Sequence, residues 1–149
     1  MNTVEKLITI GPNIQIQYVD SIVKKLAINK GLNEKDSTKF FQMYWQPFVM
    51  ATVLGLTLDL ERLPIEGKRE NLFKYAVIEN NSRDILKTII AMVVAKEGYE
   101  ILLDHAQINT AIEEYANSGF KYLAELMLEE LKFHSEQDYY ALIGELNMG

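Results

Sequence analysis

The residues able to do chemistry are few and scattered along the chain. There are two histidines, His105 and His134, and no cysteine. A zinc site would need both histidines together with carboxylates from unrelated positions. Acidic pairs stand at Glu113-Glu114 and Glu129-Glu130. Neighbouring side chains on a helix point about 100° apart, so neither pair offers two carboxylates to one substrate as general acid and base. A helical enzyme would have to build its site across helices, with His105, Glu113 and Glu114 as the candidates. Gly67-Lys68 invites comparison with a phosphate loop, but the upstream glycine is absent and Arg69 stands where Ser or Thr would hold magnesium. Neither G-x-G-x-x-G nor G-x-S-x-G occurs. No catalytic, cofactor-binding or metal-binding residue is therefore assigned.

Charge narrows the function classes further. Residues 1 to 75 carry 10 Lys/Arg against 8 Asp/Glu, a net of +2, and residues 76 to 149 carry 5 against 13, a net of −8. Affinity for a phosphate backbone rests largely on Lys and Arg displacing counterions, so the acidic half should repel nucleic acid. Lys24, Lys25, Lys30, Lys35 and Lys39 are the residues a nucleic-acid-binding module would use. Aromatic side chains point instead to contacts with protein. Trp45 and the pair Tyr139-Tyr140 are the candidates for a partner surface, being amphipathic groups of a kind enriched at interfaces.

The elements that must position these residues are mainly helical. At 149 residues, 48% apolar and 24% charged, the chain has the size and composition of a single globular domain, residues 1 to 149, with 1 to 12 as a candidate N-terminal arm. The absence of cysteine fits a reducing, cytoplasmic setting. No basic N-terminus leads into an apolar core, so no signal peptide is expected. The most apolar run, residues 38 to 60, contains Phe41, Tyr44, Trp45, Phe48, Val49, Thr52 and Val53 at the spacing of one helical face. Gln42, Gln46, Pro47 and Thr52 interrupt it, which argues for a buried core helix rather than a membrane span. Pro47 predicts a kink between Tyr44 and Phe48, and Gly55 would let a second helix approach closely.

Around that helix the sequence predicts a brief strand through Ile14, Ile16 and Tyr18, then a helix ending at Gly31. Asp36 or Ser37 would cap the central helix. An exposed loop over 57 to 69 is followed by helical spacing at Leu72 to Val77. Ser82 would cap an apolar helix over 83 to 96, with Gly98 closing it. Asp104 or Asn109 opens the next helix, Asn117-Ser118-Gly119 forms a corner, and helices over 120 to 133 and 137 to 146 complete the chain.

The segment Glu113-Glu114-Tyr115-Ala116-Asn117-Ser118-Gly119-Phe120, preceded by Ala51-Thr52-Val53-Leu54-Gly55, resembles the signatures of the small Dnd-system-associated proteins. These are encoded beside bacterial DNA phosphorothioation and restriction genes. The likeness covers about residues 38 to 146. It implies an accessory protein of an anti-phage DNA modification and restriction island; the missing catalytic constellation, the aromatic content and the acidic C-terminal half add the expectation of a subunit that docks on a larger nuclease, helicase or ATPase and meets DNA only through that partner. The resemblance carries no catalytic residue across. The structural role expected for Glu113, Glu114, Tyr115, Asn117 and Gly119 is to turn the chain, since Asn and Gly tolerate left-handed backbone.

Overall fold

Pro47 decides where the central helix begins. In the computed structural model, which describes residues 2–27 and 40–135 (130–135 as backbone), helix α3 spans Trp45–Thr57. Pro47 lies in its first turn, where the backbone has no intrahelical acceptor to lose. The stretch expected to be the helix N-terminal to a kink, residues 40–44, is not helical, and the helix simply begins at Trp45. There the Gln46 side-chain carbonyl accepts the amides of Gln42 and Met43, both at 3.0 Å. Phe41 N donates to Leu26 O at 2.7 Å, tying this entry to the preceding helix. The expectations placed on Gly31, Asp36, Ser37 and the final helix over 137 to 146 lie outside the described residues.

The N-terminal part is short elements fastened to the rest. Helix α1, Thr3–Leu7, is capped by Asn2, whose side chain accepts the Glu5 amide at 2.8 Å. Leu7 is fully buried, so this arm is part of the core. Strand β1, Asn13–Gln15, stops earlier than alternation suggested. Helix α2, residues 16–26, takes over and contains a π-helical stretch, Val19–Val23. Val19, Ile22 and Val23 are all buried, and Tyr18 stacks on Phe120 with ring centroids 5.7 Å apart. β1 pairs antiparallel with β2, Arg69–Asn71, in a register that sets Ile14 opposite Glu70. β2 lies at the end of the stretch read as loop, because three polar residues carry no alternation.

Helix α4, Tyr75–Asn81, and helix α5, Arg83–Glu97, meet at Ser82, which holds the cap position without a side-chain hydrogen bond. Gly98, at φ 96°, ends α5, and a 3-10 turn, Tyr99–Leu103, leads into helix α6, His105–Ser135. Asp104 opens α6 by accepting the Ala106 amide at 2.9 Å.

The expected corner at Asn117 to Gly119 is not there. α6 runs straight through it for 31 residues. Gly119 is in the sequence because α3 presses against it: a Cβ on Gly119 would lie 1.8 Å from Ala51 O. Conversely, a Cβ on Gly55 would lie 2.2 Å from Tyr115 O. The two helices cross backbone to backbone through a glycine on each, and theirs is the most extensive contact between elements. Phe48 and Phe120 fill the core beside the crossing, each at most 1% exposed. Gly119→Ala should lower the unfolding free energy by about 3 kcal/mol, the upper part of the usual overpacking range, because the obstructing atom belongs to the backbone. Urea denaturation measures this, and an unchanged midpoint would contradict the direct crossing.

Candidate functional site

The signature segment lies on α6 as three adjacent pairs spaced by four residues, and each pair faces a different neighbour. Tyr115 and Gly119 face α3 at the crossing. Glu113 and Asn117 face β1 and the segment that precedes β2. Glu114 and Ser118 face residues 61 to 63. Glu114, Asn117 and Ser118 reach the irregular segment between α3 and β2, Glu113 reaches the Asn13 amide of β1, and the Tyr115 hydroxyl reaches Glu97 on α5.

Asn117 is 6% exposed. Its amide nitrogen donates to Leu63 O at 3.1 Å and Pro64 O at 3.2 Å, with a weaker approach of 3.4 Å to the Gln15 side-chain carbonyl. That Gln15 oxygen also accepts the Glu66 amide at 3.0 Å. The Ser118 hydroxyl lies between Glu61 O and Glu114 O and can donate to either. Leu63 N donates to Glu114 O at 3.2 Å. The chain between α3 and β2 is thus fastened by its backbone to α6, and its side chains add to this. Arg62 bridges Glu114 at 3.0 Å on α6 and Glu97 at 3.2 Å on α5. Lys96 pairs with Asp59, which sits at φ 56° where the chain leaves α3.

The electrostatics follow from this packing. Burial pushes the Tyr115 hydroxyl up to about 12, helped by the bond it donates to Glu97 at 2.7 Å. Burial works against the charge of Arg62, but Glu114 and Glu97 outweigh it and raise its pKa overall. Burial raises the Glu113 carboxyl above the usual carboxylate range, while the Asn13 amide at 2.5 Å, Asn109 at 3.4 Å and the charge of Arg69 oppose that rise. Tyr75, fully buried, donates to Asn109 at 2.7 Å and is pushed well up by the same desolvation.

The structure separates the groups that a cross-helix carboxylate site would need. Glu113 and Glu114 hold different partners, and His105, at the start of α6, shares a hydrogen bond or ion pair with neither. Among the described residues no group of three His, Asp or Glu side chains could hold a metal ion, and no helix is long and apolar enough to cross a membrane. Trp45 is 7% exposed and sits in the core. Lys24 and Lys25 are exposed at the end of α2. Lys30, Lys35, Lys39, Tyr139 and Tyr140, and the side chain of His134, lie outside the description. Arg62, Glu97, Gln15 and Asn109 were not legible as members of this network. One signal did point to it: Asn109, Glu113 and Asn117 recur every fourth residue between the buried Ile108, Ala111, Ile112 and Ala116.

Two outcomes test the network. Asn117→Ala should cost about 2 kcal/mol by leaving two carbonyls unpaired and should speed tryptic cleavage after Arg62 and Lys68; protection equal to wild type would refute the fastening. For Glu113 the folded chain keeps its proton to higher pH than the unfolded chain does. Its contribution therefore falls as pH rises from the ordinary carboxylate pKa through the raised one. Glu113→Gln keeps an acceptor for Asn13 and cannot ionise, so its stability relative to wild type should increase across that window. Parallel denaturation curves at every pH would count against a buried carboxyl.

Neither a curated protein nor a solved structure matches the chain. The sequence pattern of one family matches residues 19–147, a span containing both the crossing glycines and the whole α6 signature. The chain belongs to the family of DNA sulphur modification system-associated protein 4.

Proposed function

We propose that this member of a DNA sulphur modification system is a non-enzymatic interaction subunit that docks on a larger nuclease, helicase or ATPase of the same modification and restriction machinery. The observation that supports this reading is how the signature is used. Glu113, Glu114, Asn117 and Ser118 direct their polar atoms at the backbone or side chains of neighbouring segments. Their joint effect is to hold residues 59 to 68 in one shape against α6. A loop fixed from behind gives up little conformational entropy when it binds, which is how rigid scaffolds present recognition loops.

The outward face of this loop is chemically distinct. Glu61, Pro64, Glu66, Gly67 and Lys68 are exposed, and Gly67 takes φ 73°, a conformation that a side chain would strain. The acidic residues suit a partner surface carrying Arg or Lys, since complementary charge steers encounter and fixes register.

Co-expression with the genes of the modification and restriction system, followed by native mass measurement, tests the reading. A stable complex with one larger component is expected, and Glu61→Lys combined with Glu66→Lys should weaken it about tenfold. A chain that elutes alone beside every component would overturn the docking role.

A further inference from the structure

Where the loop runs along α6, a hollow of about 340 Å³ opens between it and the next two turns of the helix. Leu60 and Leu63 from the loop and Tyr122 from α6 are its half-buried walls, and Glu61, Lys121 and Glu125 stand exposed around it. Residues 118, 121, 122 and 125 share one helical face, the continuation of the face that Glu114 and Ser118 turn toward the loop. The loop wall is fixed in place. Leu60 N donates to Gly55 O at 3.0 Å and Leu63 N to Glu114 O at 3.2 Å, and the Ser118 hydroxyl lies between Glu61 O and Glu114 O. A hollow of this volume is at the small end of ligand sites and suits one inserted side chain.

Charge decides which side chain that is. Glu61, Lys121 and Glu125 have no ion-pair partner among the described residues. Lys121 and Glu125 stay apart although they are one helical turn from each other. The charge of Glu125 is also felt inside the domain: burial first, and Glu125 after it, raise the Tyr18 hydroxyl above its ordinary range. An apolar occupant would take three charges out of water with nothing in return. An acidic occupant would meet two carboxylates against one ammonium. A cation meets the single negative charge in excess, while Lys121 keeps its flexible stem and can leave its ammonium in water. Of the two cationic side chains, arginine fits better. Its planar guanidinium stacks on an aromatic ring and has enough N–H donors for two carboxylates, whereas a lysine ammonium is a compact and more strongly hydrated point charge.

We infer that this hollow is the anchor point of the partner: one arginine of the larger subunit enters between the loop and α6, its stem against Leu60 and Leu63, its guanidinium on the Tyr122 ring and its donors on Glu61 and Glu125. The inference rests on the docking role of the loop. It adds the residue type that is recognised and a second wall, on α6, that the loop alone does not supply.

The complex recovered by co-expression tests the anchor through the α6 wall. Glu125→Gln and Tyr122→Leu should each weaken it about tenfold. Glu125 is exposed, so the Gln variant should match wild type in circular dichroism and melting. A second measurement needs no partner. Titrating the isotope-labelled full chain with N-acetylarginine amide should move the amide resonances of Ser118, Tyr122 and Glu125, and the neutral citrulline compound of the same shape should leave them in place. A complex indifferent to both substitutions would overturn the anchor while the docking role stands, as would resonances that answer arginine and citrulline alike or answer neither. If no complex forms with any component, the docking role fails and the anchor fails with it.

Discussion

The contact on which everything else depends is the crossing of α3 and α6 at Gly55 and Gly119. Helices carrying ordinary side chains keep their axes about 8–10 Å apart; removing a Cβ from each lets backbone touch backbone, Ala51 against Gly119 and Tyr115 against Gly55. Such closeness has consequences on both sides. It leaves Phe48 and Phe120 packed beside the crossing with no room for water, both essentially unexposed. It also brings the C-terminal end of α3 beside the middle of α6. The chain leaving α3 at Leu58 must therefore travel along α6 before it can reach β2, and α6 supplies the side chains that hold it.

Much of the fold was legible in the residue pattern, and what was not has identifiable causes. The apolar spacing around Trp45 and Phe48, the terminator at Gly98 and the opening of α6 at Asp104 all act locally, through backbone conformation or the nearest turn. Gly119 acts at long range. A glycine after Asn and Ser has the composition of a turn, and nothing nearby in sequence says that the missing Cβ makes room for Ala51, which lies 68 positions earlier. Tertiary packing supplies more than local propensity takes away, because one glycine costs a helix only about 1 kcal/mol. β2 went unread for a related reason. Its residues, Arg69, Glu70 and Asn71, have no strand character, and pairing with β1 holds them extended.

The candidate site divides in the same way. The spacing of Asn109, Glu113 and Asn117 marked a polar stripe on an otherwise apolar stretch of α6, but Asn13, Gln15, Leu63 and Pro64, the partners of Glu113 and Asn117, come from 53 or more residues away. Two of the three bonds Asn117 makes end on backbone carbonyls, which any sequence would present. That explains why the signature could be recognised while its role could not. A side chain that binds backbone leaves no matching residue type at the other end.

A buried carboxylate is an expensive way to hold an amide. Glu113 is 9% exposed, and desolvation is the largest influence on its charge. The carboxylate accepts the Asn13 amide and the Asn109 side chain at once, and Arg69 lies within electrostatic reach. One of its oxygens, Oε2, accepts both bonds, so its burial cost is offset by leaving neither Asn13 nor Asn109 without an acceptor. Through Asn13 the bond fixes β1; through the β1 register it fixes Arg69 to Asn71, and with them the far end of the segment that Asn117 and Ser118 hold in the middle. The segment between α3 and β2 is consequently secured at its centre and far end by residues 113 to 118 of α6, while Lys96 of α5 pairs with Asp59 at its start. That is why a single short signature can specify the shape of a loop more than forty positions upstream.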